Sequence, residues 1–177
     1  MESDHELIEL ANKGSSEAFE ALYRRYRDWV YRLAWRITGN SADALDVLQE
    51  TFTYLLGKFP GFELTAAMTT FLYPVVRHIS LTIRSKSSRY ASEEEVLDEL
   101  AAPKSEESEH CRSELAAVLI VLPDEQREVL LMRFVDDMSL KEIAAALDVP
   151  VGTVKSRLHN SLRTLRSDRR TQDYFLE

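Results

Sequence analysis

The chain has 177 residues, with 30 Asp+Glu against 22 Lys+Arg and a formal net charge of −8. Its 45% hydrophobic content is enough to bury a core, and only five Gly and five Pro speak against a strand-and-turn architecture or a low-complexity chain. The single Cys111 excludes an internal disulfide and a multi-Cys zinc site, no apolar run approaches the ~20 residues that cross a bilayer, and the acidic opening MESDHELIEL is unlike a signal peptide, so a soluble intracellular protein is expected.

A short helix is expected around residues 6–12. Phe19, Leu22, Tyr23, Tyr26, Val30, Leu33, Ala34 and Ile37 recur at steps of three and four, which puts them on one face of a second helix stopped by Gly39. Asn40 or Ser41 caps a third, in which Leu45, Leu48, Phe52, Leu55, Leu56 and Phe59 repeat until Gly57, Pro60 and Gly61 end it. A fourth runs through Phe71, Leu72, Val75, Val76, Ile79 and Ile83, with Pro74 either in its first turn or kinking it by removing a backbone donor. From Ser85 to about Arg112 the pattern dissolves into a polar segment interrupted by Pro103, as expected for a linker. The acidic excess lies here: residues 92–114 carry net −7, whereas residues 1–91 are neutral. Periodicity resumes at Leu115, with one helix ending near Leu122, another from Asp124 to about Phe134, and a final pair. The expected fold class is all-α, two small helical domains at 1–90 and 113–177 joined by an acidic flexible linker at 91–112.

The most informative stretch is 139–166, SLKEIAAALDVPVGTVKSRLHNSLRTLR. Ser139 and Glu142 have the spacing of a capping box, which satisfies helix-start donors from both sides. Leu140, Ile143, Ala144 and Leu147 form one buried stripe. After the turn Asp148, Val149, Pro150, a second stripe follows at Val151, Val154, Leu158, Leu162 and Leu165. This is the arrangement of a helix-turn-helix, whose second helix enters the major groove. Off the stripe stand Lys155, Ser156, Arg157, His159, Asn160 and Arg163, chemically suited to guanine edges, adenine edges and phosphates. Thr153 and the backbone donors near Gly152 suit a phosphate at the helix start. A solvated cationic face explains any one of these features, and their combination favours DNA. Residues 151–170 carry net +5, so the low overall pI says little about nucleic-acid binding.

With LPDEQREVLLMRF ahead of it, this stretch resembles the C-terminal promoter-reading domain of bacterial sigma factors of the small two-domain extracytoplasmic-function (ECF) group, in the sigma-70 family. The segment AFEALYRRYRDWVYRLAWRITGNSADALDVLQETFTYLLGKF resembles that family's first conserved domain, with the signature D-x-x-Q-E-T-F at Asp46, Gln49, Glu50, Thr51 and Phe52. The resemblance implies a sigma-2-like domain at 1–90 and a sigma-4-like domain at 113–177. It implies docking of Asp46, Gln49, Glu50 and Phe52 on core RNA polymerase. It also implies minus-ten contacts, with strand opening, from Phe62, Thr69, Thr70, Phe71, Tyr73, Arg77, His78 and Arg84. Minus-thirty-five contacts would then come from Thr153, Lys155, Ser156, Arg157, His159, Asn160 and Arg163. Thirteen of the 16 aromatics lie in residues 1–91, and the rings off the stripe, Phe62, Phe71 and Tyr73, suit stacking on unpaired bases. The implied partners are core polymerase, promoter DNA (double-stranded at minus-thirty-five, single-stranded at minus-ten) and an anti-sigma factor, in the bacterial cytoplasm.

The sequence also departs from the family. His78 and Thr82 stand where relatives carry Asn and Asp. Asn160, Ser161 and Leu162 replace a basic run, and Pro150 replaces a Ser cap, which leaves the promoter sequence open. The nine carboxylates of residues 92–114 either keep a linker solvated or mimic a nucleic-acid backbone in the polymerase channel. His110 and Cys111 do not make a metal site, and no cofactor is expected. Phosphate-cradling loops, zinc motifs and nucleophile-base pairs are missing, so the chain is not expected to be an enzyme. Two other readings stay open: a stand-alone helix-turn-helix regulator, and a sigma-like interaction protein that has lost promoter opening.

Overall fold

The computed structural model describes residues 2–90 and 119–169, where every regular element is an α-helix. The chain divides into two compact units, Met1–Val96 and Leu97–Glu177. The expected linker, with His110 and Cys111, and most of the helix expected to end near Leu122 lie outside the described residues.

Four helices build the first unit: α1 (Asp4–Asn12), α2 (Ser16–Thr38), α3 (Ser41–Leu56) and α4 (Met68–Tyr90). Their ends are fixed by short polar side chains. Ser3 and Glu6 form a capping box on α1, and Ser15 accepts from the Ala18 N–H at α2. Gly39 adopts the left-handed conformation (φ 85°) that ends α2, and Asn40 then caps α3 by accepting from Asp43 N–H at 2.8 Å. α2 packs against the other three helices, and α3 against α4. The side chains of Leu7, Leu22, Leu33, Leu55, Met68 and Leu72 fill the space between them, and a buried side chain of this size contributes about 1.5–3 kcal/mol. Asp4 accepts from both the Tyr26 hydroxyl and the Arg25 guanidinium, tying α1 to α2. Burial and the bond to Asp4 push the Tyr26 phenol well above its ordinary pKa.

The second unit contains α5 (Asp124–Phe134), α6 (Leu140–Leu147) and α7 (Val151–Ser167). Arg127 donates to the Leu119 and Leu122 carbonyls, and Arg133 to that of Met138, so two arginines hold the connections around α5. The capping box Ser139/Glu142 starts α6, and Asp148 in the left-handed region (φ 53°) ends it.

Several expectations need correction. α4 continues to Tyr90, five residues past the point where apolar periodicity fades, because helix propensity does not depend on a buried stripe. Of the two positions open to Pro74, the interior one holds: it is the seventh residue of α4, beyond the first turn. Leu45 and Leu56 are 55% and 54% exposed, and Val151 is exposed too. The stripe on α7 is instead completed by Ser161, which is fully buried.

Candidate functional site

On α3, Asp46, Gln49 and Glu50 are one turn apart and all exposed, while Val47, Thr51 and Phe52 turn inward on the opposite face. Phe52, expected at a polymerase interface, is buried edge-on against Tyr23 with ring centroids 4.8 Å apart. It therefore shapes the helix face from beneath. The exposed acids line a shallow groove with Thr53, Tyr54 and Ile79. Tyr54 and Ile79 also line the adjoining groove, whose other walls are Phe71, Pro74, Val75 and His78. The acidic face of α3 and the exposed face of α4 thus share one seam. Tyr54 is 43% exposed in its middle, with the Lys58 ammonium 4.5 Å from its ring centroid.

Preceding α4, residues 57–67 form a loop containing the cis Phe59–Pro60 bond. Phe19, Phe59, Phe62 and Phe71 form a continuous chain of rings, with successive centroids at 5.8, 5.5 and 4.8 Å. Here the sequence grouping is corrected. Phe62, Thr70 and Tyr73 are 7%, 6% and 2% exposed, because the ring chain and the helix packing take them inward. Thr69 and Phe71 are half-buried; Arg77, His78 and Arg84 are exposed. Arg84 also donates to the Ile37 carbonyl at 3.2 Å, bridging α4 to the end of α2.

On α7, Lys155, Ser156, His159 and Arg163 are exposed, and Lys155, His159 and Arg163 recur every four residues along one face. Asn160 is half-buried beside them. Arg157 is turned away from that face: it pairs with Glu125 at the start of α5, leaving its side chain 21% exposed. The Ser161 hydroxyl lies 2.7 Å from the Arg157 carbonyl and 3.1 Å from that of Gln126, a polar weld between α7 and α5. The Thr153 N–H donates to the Pro150 carbonyl at 2.9 Å, closing the first turn of α7, and its side chain is half-buried there. Pro150 begins α7 without a side-chain cap. Among the described residues no cluster of three or more His, Cys, Asp or Glu has the geometry of a metal site.

Sequence reasoning missed three residues that organise these surfaces. Asn12 grips the loop before α4, Tyr54 joins the two grooves, and Glu125 restrains Arg157. Only Tyr54 left a trace in the sequence, as an aromatic one turn beyond Glu50. The other two depend on contacts across 50 and 32 residues.

Comparison with known proteins places both surfaces in a family context. The model described as Sigma-70 region 2 matches residues 22–90, and that described as Sigma-70, region 4 matches residues 112–165. The chain is 29% identical to the ECF RNA polymerase sigma factor SigW of Bacillus subtilis, over 92% of this chain and 95% of that one. It is 32% identical to the RNA polymerase sigma-E factor of Streptomyces avermitilis, over 88% and 87%. The fold also matches the sigma factor RpoE from Bartonella quintana, solved in complex with the anti-sigma factor NepR. That match has a TM-score of 0.64 at 19% identity and covers 84% of this chain and 94% of that one.

Proposed function

The chain belongs to the ECF RNA polymerase sigma factors of the sigma-70 family, and on that premise we propose how its two units divide their work. As an ECF sigma factor it directs transcription initiation by RNA polymerase, and as a sigma factor it supplies no catalysis of its own. In our reading, the unit within residues 1–90 docks on core polymerase through Asp46, Gln49 and Glu50, with the Phe52 ring supporting them from below. The loop before α4, with Thr69, Phe71, Arg77, His78 and Arg84, engages and opens the minus-ten element. Phe62, Thr70 and Tyr73 act from the core by holding that surface in shape.

The unit within residues 113–177 reads the minus-thirty-five element through Lys155, Ser156, His159, Asn160 and Arg163. Exposed cations supply phosphate attraction, while Asn160 and Arg163 can reach base edges. Arg157 supports α7 through Glu125. Residues 91–112 serve as the acidic linker. The working compartment is the bacterial cytoplasm, and no helix described is long and apolar enough to cross a membrane. An anti-sigma factor is a further partner in this reading, of the kind with which the Bartonella quintana sigma factor was solved.

The observation that carries this reading is the shared seam: the acids of α3 and the exposed face of α4 meet at Tyr54 and Ile79. One docking event on a large partner therefore sets the position of the DNA-facing helix. The test is to reverse charge with Asp46→Lys and Glu50→Lys together, then measure affinity for purified core polymerase and transcription from a pool of genomic promoters. Loss of affinity and of transcripts is expected while circular dichroism stays unchanged. Undiminished core affinity would sink the reading. Core binding by the unaltered protein without transcripts would instead identify an interaction protein.

A further inference from the structure

The last residue of α1, Asn12, makes three hydrogen bonds to two consecutive residues about fifty positions away. Its side-chain oxygen accepts from the Gly61 N–H at 2.7 Å and the Phe62 N–H at 3.0 Å, and its amide donates to the Phe62 carbonyl at 2.9 Å. An asparagine side chain has one acceptor and one donor end, and both are engaged on the same turn of the loop. Gly61 sits at φ +101°, a conformation that L side chains rarely adopt, so the backbone that presents these groups is itself specific. Immediately beyond, the buried Phe62 ring locks between Phe59 and Phe71, and Met68 at the start of α4 is buried as well. Residues 63–67 therefore span two fixed points and are largely exposed. α1 is held to α2 by Asp4, Tyr26 and Arg25, independently of Asn12. It serves as a rigid post to which the loop is tied.

We propose that Asn12 is a positioning residue for minus-ten recognition: by clamping the backbone at Gly61 and Phe62, it sets where residues 63–67 meet an unpaired base. The proposal rests on the minus-ten reading above and adds to it a residue of α1, which lies outside the 22–90 segment matched by the region 2 model. A contact displaced by about 1 Å commonly loses much of its effect on rate, so loosening the clamp should blunt base selection while leaving the docking surface on α3 intact.

The test uses holoenzyme assembled from purified core polymerase and the full chain carrying Asn12→Ala, on templates substituted one base at a time through the minus-ten element. The expected result is a drop of about tenfold in the ratio of preferred to disfavoured base at one or more positions, below the roughly 10²-fold that a 1 Å misplacement can cost. Core affinity should be unchanged, and thermal melting should lie above the assay temperature. A purely structural role would lower transcription on every template alike, and unchanged ratios would overturn the proposal whether or not total transcription falls. Where Asn12→Ala does not fold, Asn12→Leu, of similar size but with neither donor nor acceptor, is judged by the same criterion. A parallel chain with Leu64→Ala and Thr65→Ala separates the two layers. Blunted selection there with normal selection in the Asn12 variants overturns the clamp alone. Normal selection in all of them overturns the clamp together with the assignment of residues 63–67 to base contact.

Discussion

The two units hold their exposed, chemically committed faces in place by different means. In the first, long helices bury a broad apolar core, and the loop before α4 hangs from a chain of four phenylalanine rings and one asparagine. In the second, α6 has only eight residues, and much of the geometry comes from polar contacts: the Ser139/Glu142 box, Arg133 on Met138, Arg157 on Glu125 and Ser161 on Gln126. A large core tolerates the loss of one polar contact, whereas a small one leans on each of them. In the second unit one basic residue of α7, Arg157, is engaged by Glu125 within the fold, while Asp46 and Glu50 of α3 stay on the surface.

The largest expected effect belongs to the first unit. Reversing Asp46 and Glu50 replaces attraction by like-charge repulsion at a docking face, and core affinity should fall about 100-fold or more, as measured by fluorescence titration. Next comes a direct contrast within α7. Lys155→Ala should weaken minus-thirty-five binding by holoenzyme and lower the slope of log affinity against log salt by ~0.9, the value for one lost phosphate contact. Arg157→Ala should leave that slope nearly unchanged and lower the melting temperature instead. If both variants moved the slope equally, the division of labour on α7 would be wrong.

Cap removal sharpens the comparison at a smaller scale. Ser139→Ala should cost about 1 kcal/mol in denaturant titration, and because α6 is so short, the loss should also appear as weaker DNA binding. Asn40→Ala should cost a similar amount without altering core affinity. The smallest effect is expected at Thr51, whose fully buried hydroxyl has no hydrogen-bond partner. Thr51→Val removes an unsatisfied group at constant shape, so stability should stay level or rise by up to ~1 kcal/mol. A clear loss would reveal a partner for that hydroxyl.

Most helices were legible because their signals are local. Gly39, Asn40, Ser139, Glu142 and Asp148 end or begin elements by chemistry confined to a few residues, and the apolar spacing between them needs no tertiary information. The exposed faces were legible for the same reason, since a helix with a buried stripe must present its remaining residues outward. What could not be read was exposure set by tertiary contacts, both at Leu45, Leu56 and Val151, which keep the stripe spacing and are exposed, and at residues outside regular spacing. Phe62 and Tyr73 looked available because they fell off the stripe, yet the loop folds back and a second ring contact buries Phe62. The fate of Arg157 was hidden likewise, because Glu125 lies 32 positions away and no periodicity links the two.

One feature of α7 reaches beyond the present molecule. Val154, Ser161 and Leu165 are shut into the fold, whereas Lys155, Ser156, His159 and Arg163 touch little of it. Exchanges at the second set should shift stability by only about 0.5 kcal/mol, because they disturb no packing. On the proposed minus-thirty-five reading, descendants of this gene can therefore acquire a new target vocabulary without first becoming sturdier, and duplicated copies can drift apart in the genes they switch on while inheriting the same body.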